Sequence, residues 1–197
     1  MSGGPISVPD WSNHELVVAG WSRHDLDWEA DAAAHCAALA QGSEAEALAH
    51  SGACLLRARE SFTADDPRFA TSLANHAASL ARRGDAVAFG LWREARDAWP
   101  RSASWISAMS APRVARSSLF HMRMEQRHRD TYEERWRLKW RDMAENAHAR
   151  LQAADPAAPA DPAAAAATLA RWHRECPAML NDTRKLMAAT LLLLPGH

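Results

Sequence analysis

Residues that favour helices dominate the chain from Trp28 onward, and this bias limits the folds open to it more than any other feature. Ala, Leu, Glu, Arg and Met form helices readily, whereas the β-branched residues that strands prefer are scarce. No run of β-branched residues alternates with polar ones as a half-buried strand would require. The sequence therefore predicts an all-α protein.

Helix-breaking residues divide this region into segments of helical length. Proline at the first position of a helix lacks only an N–H that would be unpaired there, whereas glycine after the last turn marks an end. Inside a helix, proline removes a hydrogen bond, so we expect Pro100 to end the helix before it. The predicted helices cover 28–41, 44–62, 67–83, 86–99, a short segment before Met109, 112–153, 162–175 and 178–194.

The sequence divides the chain into four parts. An irregular N-terminal segment containing Trp, Gly and Pro covers 1–27, and a domain of paired helices covers 28–153. A linker broken by proline, ADPAAPADP, covers 154–162, and a final pair of helices covers 163–197. Because short turns join the helices, successive helices should pack antiparallel, as a bundle or a solenoid.

Composition and charge exclude several classes of protein. The net charge of −1 over 197 residues gives no overall field that would attract nucleic acids or acidic membranes. The longest apolar runs, 163–167 and 191–194, are too short to cross a bilayer. Three well-separated cysteines do not form a disulfide framework, and the N-terminus lacks the pattern of a secretory signal. We therefore expect a cytoplasmic protein with reduced thiols and no membrane contact.

Residues 55–100 combine two turns and a helix core in a recognisable pattern. An acidic turn with proline, Asp65-Asp66-Pro67, precedes a helix with the core Asn75-His76-Ala77, and Gly84-Asp85 forms the second turn. This pattern resembles a tetratricopeptide repeat of the kinesin-light-chain type, in which the core is Asn-Leu-Ala. The small and large residues of the second helix also follow the family spacing: Ala88, Trp92, Ala95 and Pro100.

Two features depart from that family pattern. His76 stands where the family usually has leucine, and the turn after Gly84 is one residue shorter than usual. The chain also contains an internal similarity between 48–56 and 73–81. Its offset of 25 residues is shorter than the family repeat of roughly 34 residues. An irregular helical bundle therefore stays open as the alternative to a short solenoid of antiparallel helix hairpins.

The resemblance implies a groove for an extended peptide or a partner helix, on the face formed by the first helix of each pair. It places Asn75 where the family bonds the main chain of a ligand, with Thr71, Ala74 and Ala78 beside it. The alternative is that Asn75 is an ordinary solvated or helix-contacting amide. If this groove is present, we expect a non-enzymatic adaptor, chaperone or assembly factor that has a protein or peptide partner and no cofactor. The apolar final helix, 178–194, also favours self-association into a homo-oligomer.

A His/Cys cluster supports a different hypothesis. His50 and Cys54 share one face of a predicted helix, and His35 and Cys36 lie on the preceding helix. Four such side chains could bind zinc. Because a buried cysteine in an Ala-rich helix usually serves as a small hydrophobe, we assign no metal site. A metal-handling or catalytic helical protein that uses this cluster is the alternative function.

The predicted helix over 113–150 supplies a second alternative, a regulator that binds nucleic acid. The segment is rich in Arg and carries Trp136 and Trp140, as some nucleic-acid-binding helices do. Its acidic residues are interleaved with the basic ones, and Glu133 precedes Arg137 by one helical turn. Pairing within the helix accounts for most of this charge, so we do not expect a nucleic-acid partner.

Overall fold

The computed structural model describes residues 22–108, 126–175, 191 and 193, and no strand occurs among them. The prediction of an all-α protein is therefore confirmed. Six helices account for most of these residues: α1 (Arg23–Ala40), α2 (Glu44–Ser61), α3 (Pro67–Ala81), α4 (Val87–Ala108), α5 (Gln126–Ala153) and α6 (Pro162–Glu175).

Side chains that cap the first turn explain where three of the helices begin. Asp66 accepts a hydrogen bond from the N–H of Arg68, and Asp161 accepts from the two N–H groups of the first turn of α6. A proline follows each of these aspartates at the first position of the helix, so α3 and α6 begin at the predicted residues. Ser22 and Asp25 form a reciprocal capping box. Because of this box, α1 begins at Arg23, ahead of the predicted start at Trp28.

Two glycines reverse the chain between paired helices. Gly42 and Gly84 both have φ of +73°, which only glycine adopts without strain. After α3, the N–H of Asp85 donates to the carbonyl of Leu80 at 3.1 Å, which closes the last turn of the helix. The predicted turn at Gly84-Asp85 is therefore present.

Pro100 lies inside α4, so the prediction that it ends a helix is wrong. Proline cannot donate to the carbonyl of Arg96, and such a loss costs about 3 kcal/mol in a helix interior. The helix continues because Ala98, Trp99 and Ser102, on either side of the proline, are all buried. Packing of this stretch on the core outweighs the missing hydrogen bond.

Neighbouring helices pack against each other from α1 to α5, and α6 returns to pack against α1. Helix α3 is the most enclosed, since nearly all its residues up to Ser79 are buried. One hydrophobic core joins residues from distant parts of the chain, including Trp28, Leu73, Trp99, Leu151, Trp172 and Leu191. Helix α3 therefore lies between α2 and α4, with its buried residues in this core.

Several sequence predictions concern residues outside the described ranges. They include the irregular segment up to residue 21, the start of the long helix before Gln126, and most of the final helix over 178–194, which motivated the prediction of self-association. Among the described residues, no helix has both the length and the apolar character needed to cross a membrane.

Candidate functional site

The four residues predicted to line a binding groove all lie on α3. Thr71, Ala74 and Ala78 follow one another at spacings of three and four residues, which places them on one face of the helix, and Asn75 adjoins them. All four side chains are buried, including that of Asn75, which is 6% exposed. This face of α3 is therefore covered by another part of the protein.

The side-chain amide of Asn75 shows what covers the face. Its Nδ2 donates to the main-chain carbonyl of Leu191 at 2.9 Å. Its Oδ1 accepts from the main-chain N–H of Leu193, also at 2.9 Å. An amide has both a donor and an acceptor, so one side chain can hold a C=O and an N–H two residues further along. Both bonds go to main-chain atoms, so they do not depend on the side chains at those positions.

The side chains of the same segment pack beside this amide. Leu191 is 1% exposed and belongs to the main core together with Leu73 and Ala74. Leu193 is partly buried and packs against the main core. It also packs against a smaller cluster formed by Ala38, Leu39, Ala47 and Ala165. Leu191 and Leu193 thus lie on the face of α3 where the resemblance places a ligand.

A buried ion cluster joins α3 to the start of α1. Arg68 is 3% exposed and bonds the carboxylate of Asp66 through both Nε and Nη2. It also bonds Asp25, at the start of α1. Burial opposes its charge, yet the hydrogen bond and charge of Asp66, followed by those of Asp25, raise the pKa of Arg68 above its ordinary value. The guanidinium lies 3.7 Å from the ring centroid of Phe62, as in a cation–π contact.

Trp28 makes a second connection between α1 and α3. Its indole Nε1 donates to the hydroxyl of Ser72 at 2.8 Å, and that hydroxyl donates to the carbonyl of Arg68. The indole also meets Phe62 edge to face, with ring centroids 6.3 Å apart. The sequence pattern did not predict this network. Its only local signal was the Asp66-Pro67-Arg68 stretch, and Asp25 lay in a segment predicted to be irregular.

Three of the four His/Cys candidates for a metal site, His35, Cys36 and Cys54, are buried in neutral form. Burial lowers the pKa of His35 to about 4 and raises the pKa of Cys36 to about 12, and it also raises that of Cys54. Metal binding needs deprotonated thiols, so this setting opposes it. The Nδ1 of His35 donates to the carbonyl of Ala47, and His50 is only partly buried. Within the described ranges, no three His, Cys, Asp or Glu side chains are grouped as metal ligands.

His76, the departure from the family pattern, fills the contact between α2 and α3. Its Nδ1 lies 3.1 Å from the hydroxyl of Ser51. Gly52 of α2 lies beside the His76 ring, since a Cβ built on it would sit 3.4 Å from the ring, an ordinary contact distance. The hydroxyl of Ser51 is buried and donates to the carbonyl of Leu48. The hydroxyl of Ser51 is therefore part of the packing between α2 and α3, whereas His76 is partly exposed.

Helix α5 contains most of the segment considered for nucleic-acid binding. Among its described side chains, exposed basic and acidic groups are interleaved: Glu134, Arg135, Arg141, Asp142, Glu145 and Arg150. Arg141 pairs with Glu145 one turn later at 3.6 Å. Such interleaving is typical of a solvated helix face rather than of a surface that binds phosphates.

Comparison with known proteins assigns the chain to no family. No family model, no curated protein and no solved structure matches it. Its function is therefore inferred from the residues and contacts of the α3 face.

Proposed function

We propose that this chain is a non-enzymatic protein–protein interaction module of the cytoplasm, an adaptor, chaperone or assembly factor. Its paired helices would form a short tetratricopeptide-like groove for an extended segment of a partner protein. One observation carries the proposal: the buried amide of Asn75 bonds a main-chain carbonyl and a main-chain N–H two residues apart.

Main-chain hydrogen bonds are the common means of holding an extended peptide, since every peptide offers the same groups. In an extended chain, the carbonyl of one residue and the N–H of the second residue after it point to the same side. The amide of Asn75 bonds a carbonyl and an N–H with this spacing, although Leu191 itself lies in a turn. The small residues Ala74 and Ala78 of the same helix belong to one core with the apolar side chain of Leu191.

The two alternative functions receive less support from the described residues. The thiols of Cys36 and Cys54 are held in their protonated form by burial, which disfavours metal handling. The described charges of α5 are of mixed sign, which disfavours nucleic-acid binding.

Affinity capture of the tagged full-length chain from its own host cells tests the proposal. The lysate would be divided into untreated and nuclease-treated halves, and the captured material would be analysed by mass spectrometry. We expect one protein in roughly stoichiometric amount in both halves. A partner that is lost after nuclease treatment, or capture of the chain alone, would contradict the proposal. A stoichiometric metal in the purified chain would favour the metal-handling alternative instead.

Hydrogen exchange of the purified complex would then locate the partner. We expect changes in the amides of α3 and of Leu193, and unchanged exchange in α5, which provides the internal control. Changes confined to α5 would show that the partner binds elsewhere and that the α3 face is not the binding groove.

A further inference from the structure

Four exposed side chains follow one another along the outer face of α4. Phe89, Arg93, Asp97 and Arg101 are spaced four residues apart, so they lie on one side of the helix. The ring of Phe89 is 70% exposed. Within the described part of the chain, the three charged side chains form no ion pair and no side-chain hydrogen bond. Their charges are therefore available to another molecule.

The other sides of α4 have partners in the same chain. Glu94 pairs with Arg59 of α2 at 2.9 Å, and Arg96 bonds Gln152 of α5. The side that carries Trp92 belongs to the main core. The core side and both flanks of α4 are thus in use, and the outer face is the side that a second molecule can reach.

We propose that the outer face of α4 binds the same face of a second copy of this chain, with the two α4 helices antiparallel. The twofold axis would pass midway between Arg93 and Asp97. In an interface with this symmetry each contact occurs twice, because the same surface is used by both copies. This surface differs from the α3 face that contains Asn75, so the proposal goes beyond the proposed function.

The order of charges along α4 favours this arrangement. In the antiparallel pair, Arg93 of each copy faces Asp97 of the other, so opposite charges meet twice. Arg101 of each copy faces the ring of Phe89, as in a cation–π contact. A parallel pair would instead place each residue beside its own copy, which brings Arg93 next to Arg93 and Asp97 next to Asp97. Repulsion between these like charges disfavours the parallel form.

The outer face also leaves room for a second helix to approach. A Cβ built on Gly90 would meet no atom within 4 Å, and the exposed Ala86 one turn earlier is equally small. A contact along one helix is smaller than the roughly 800 Å² per partner that a stable interface buries. We therefore expect a reversible dimer whose population rises with protein concentration.

Two charge reversals in the purified full-length chain test this register. Arg93→Asp and Asp97→Arg each place like charges opposite one another twice. In sedimentation equilibrium, each variant should dimerise at least about tenfold more weakly than the wild type. An equimolar mixture of the two variants should restore association, because each reversed residue then faces the opposite charge on the other variant. An ion pair within one helix could not produce this restoration, so the mixture is specific for contact between copies.

A matched control and a variant without a charge change complete the experiment. Glu60→Arg reverses the charge of an exposed residue on α2, and it should change the dimerisation constant by less than about twofold. Phe89→Ala should weaken dimerisation about tenfold, since it removes the ring that faces Arg101. Circular dichroism of the dilute, monomeric variants should match that of the wild type.

A wild-type chain that stays monomeric up to high micromolar concentration would overturn the proposal. A dimer that Phe89→Ala and both charge reversals leave intact would overturn it too, since the copies would then meet on another face. A mixture of the two reversed variants that remains monomeric would show that the antiparallel register is wrong. Capture of a partner protein is measured separately, so none of these results decides the proposed function.

Discussion

At the scale of single residues, burial determines the charge of His35. The imidazole is 2% exposed, and its Nδ1 donates to the carbonyl of Ala47 at 2.9 Å. Burial is the largest cause that lowers its pKa from 6.5 to about 4, and the positive charges of Arg82, His50 and His76 act in the same direction. The native ring therefore stays neutral at mildly acidic pH, whereas the ring of the unfolded chain becomes protonated.

Lowering the pH should consequently destabilise the protein through His35. The unfolded chain binds a proton below about pH 6.5 that the native state does not bind until about pH 4, so stability is lost as the pH falls through this window. Between about pH 7 and pH 5 the loss due to His35 should be about 2 kcal/mol. His35→Asn removes this titration and keeps a donor near Ala47. In urea unfolding at both pH values, the variant should lose about 2 kcal/mol less than the wild type. An identical pH dependence would contradict the argument.

The buried cluster around Arg68 shows which single-residue roles can be predicted from sequence. Asp66 was predictable as a helix cap because its partner N–H lies two residues away, next to a proline. The bond from Arg68 to Asp25 spans 43 positions in the sequence, and nothing near either residue indicates the other. Asn75 is similar: the family resemblance picked out the residue, but its bond to Leu191 could not be predicted because the two are so far apart in the chain.

At the scale of helices, the sequence predicted those helix ends that local hydrogen bonds determine. It did not predict that α4 continues through Pro100. Gly84 and Asp161 act within one turn of the chain, so residue type alone indicates a boundary. The passage of α4 through Pro100 depends on the burial of Trp99 and Ser102 against other helices. Tertiary packing of that kind overrides the local preference.

Replacing the proline should therefore stabilise α4. In Pro100→Ala, the new N–H can donate to the carbonyl of Arg96, and the exposed proline ring gives up little packing. The gain of about 3 kcal/mol is reduced by the extra entropy of the unfolded chain, which leaves about 1–3 kcal/mol in urea unfolding. Gly90→Ala is the matched control, because a Cβ there meets nothing within 4 Å, and it should gain about 0.5–1 kcal/mol. A neutral or destabilising Pro100→Ala would contradict the continuous helix.

The helix hairpin of α3 and α4 offers a direct test of the repeat register. Ala77 and Ala88 are both 0% exposed, as expected where the two helices cross closely. Ala77→Leu should force the helices apart and cost about 1–3 kcal/mol. Ala81→Leu, one turn later on the less buried end of α3, should stay within about 0.5 kcal/mol. Both changes are Ala to Leu in one helix, so helix propensity cancels. Equal losses in urea would show that the register is wrong, and the role of Asn75 would then lose its basis.

At the scale of the whole molecule, the return of the C-terminal part determines the architecture. Helix α6 packs against α1, and Leu191 joins the core beside α3. The sequence predicted separate units over 28–153 and 163–197, since the proline-broken linker between them looks like a boundary. Contacts between residues so far apart have no local signal, so sequence alone could not predict that the α3 face is covered. Within the linker, Pro156 is buried, and Asp155 accepts a hydrogen bond from the N–H of Ala157.

We expect the region 163–197 to unfold together with the rest of the chain. Trp172 of α6 is 4% exposed and belongs to the same core as Trp28 and Leu73. Trp172→Ala should cost about 3–5 kcal/mol, because a large cavity opens in this core. Trp172→Phe should cost less, since its ring fills part of the space. Circular dichroism and tryptophan fluorescence should report one coincident urea transition, which Trp172→Ala shifts as a whole. Two transitions, of which Trp172→Ala moves only one, would instead show that the C-terminal pair is an independent unit, as the linker alone would predict.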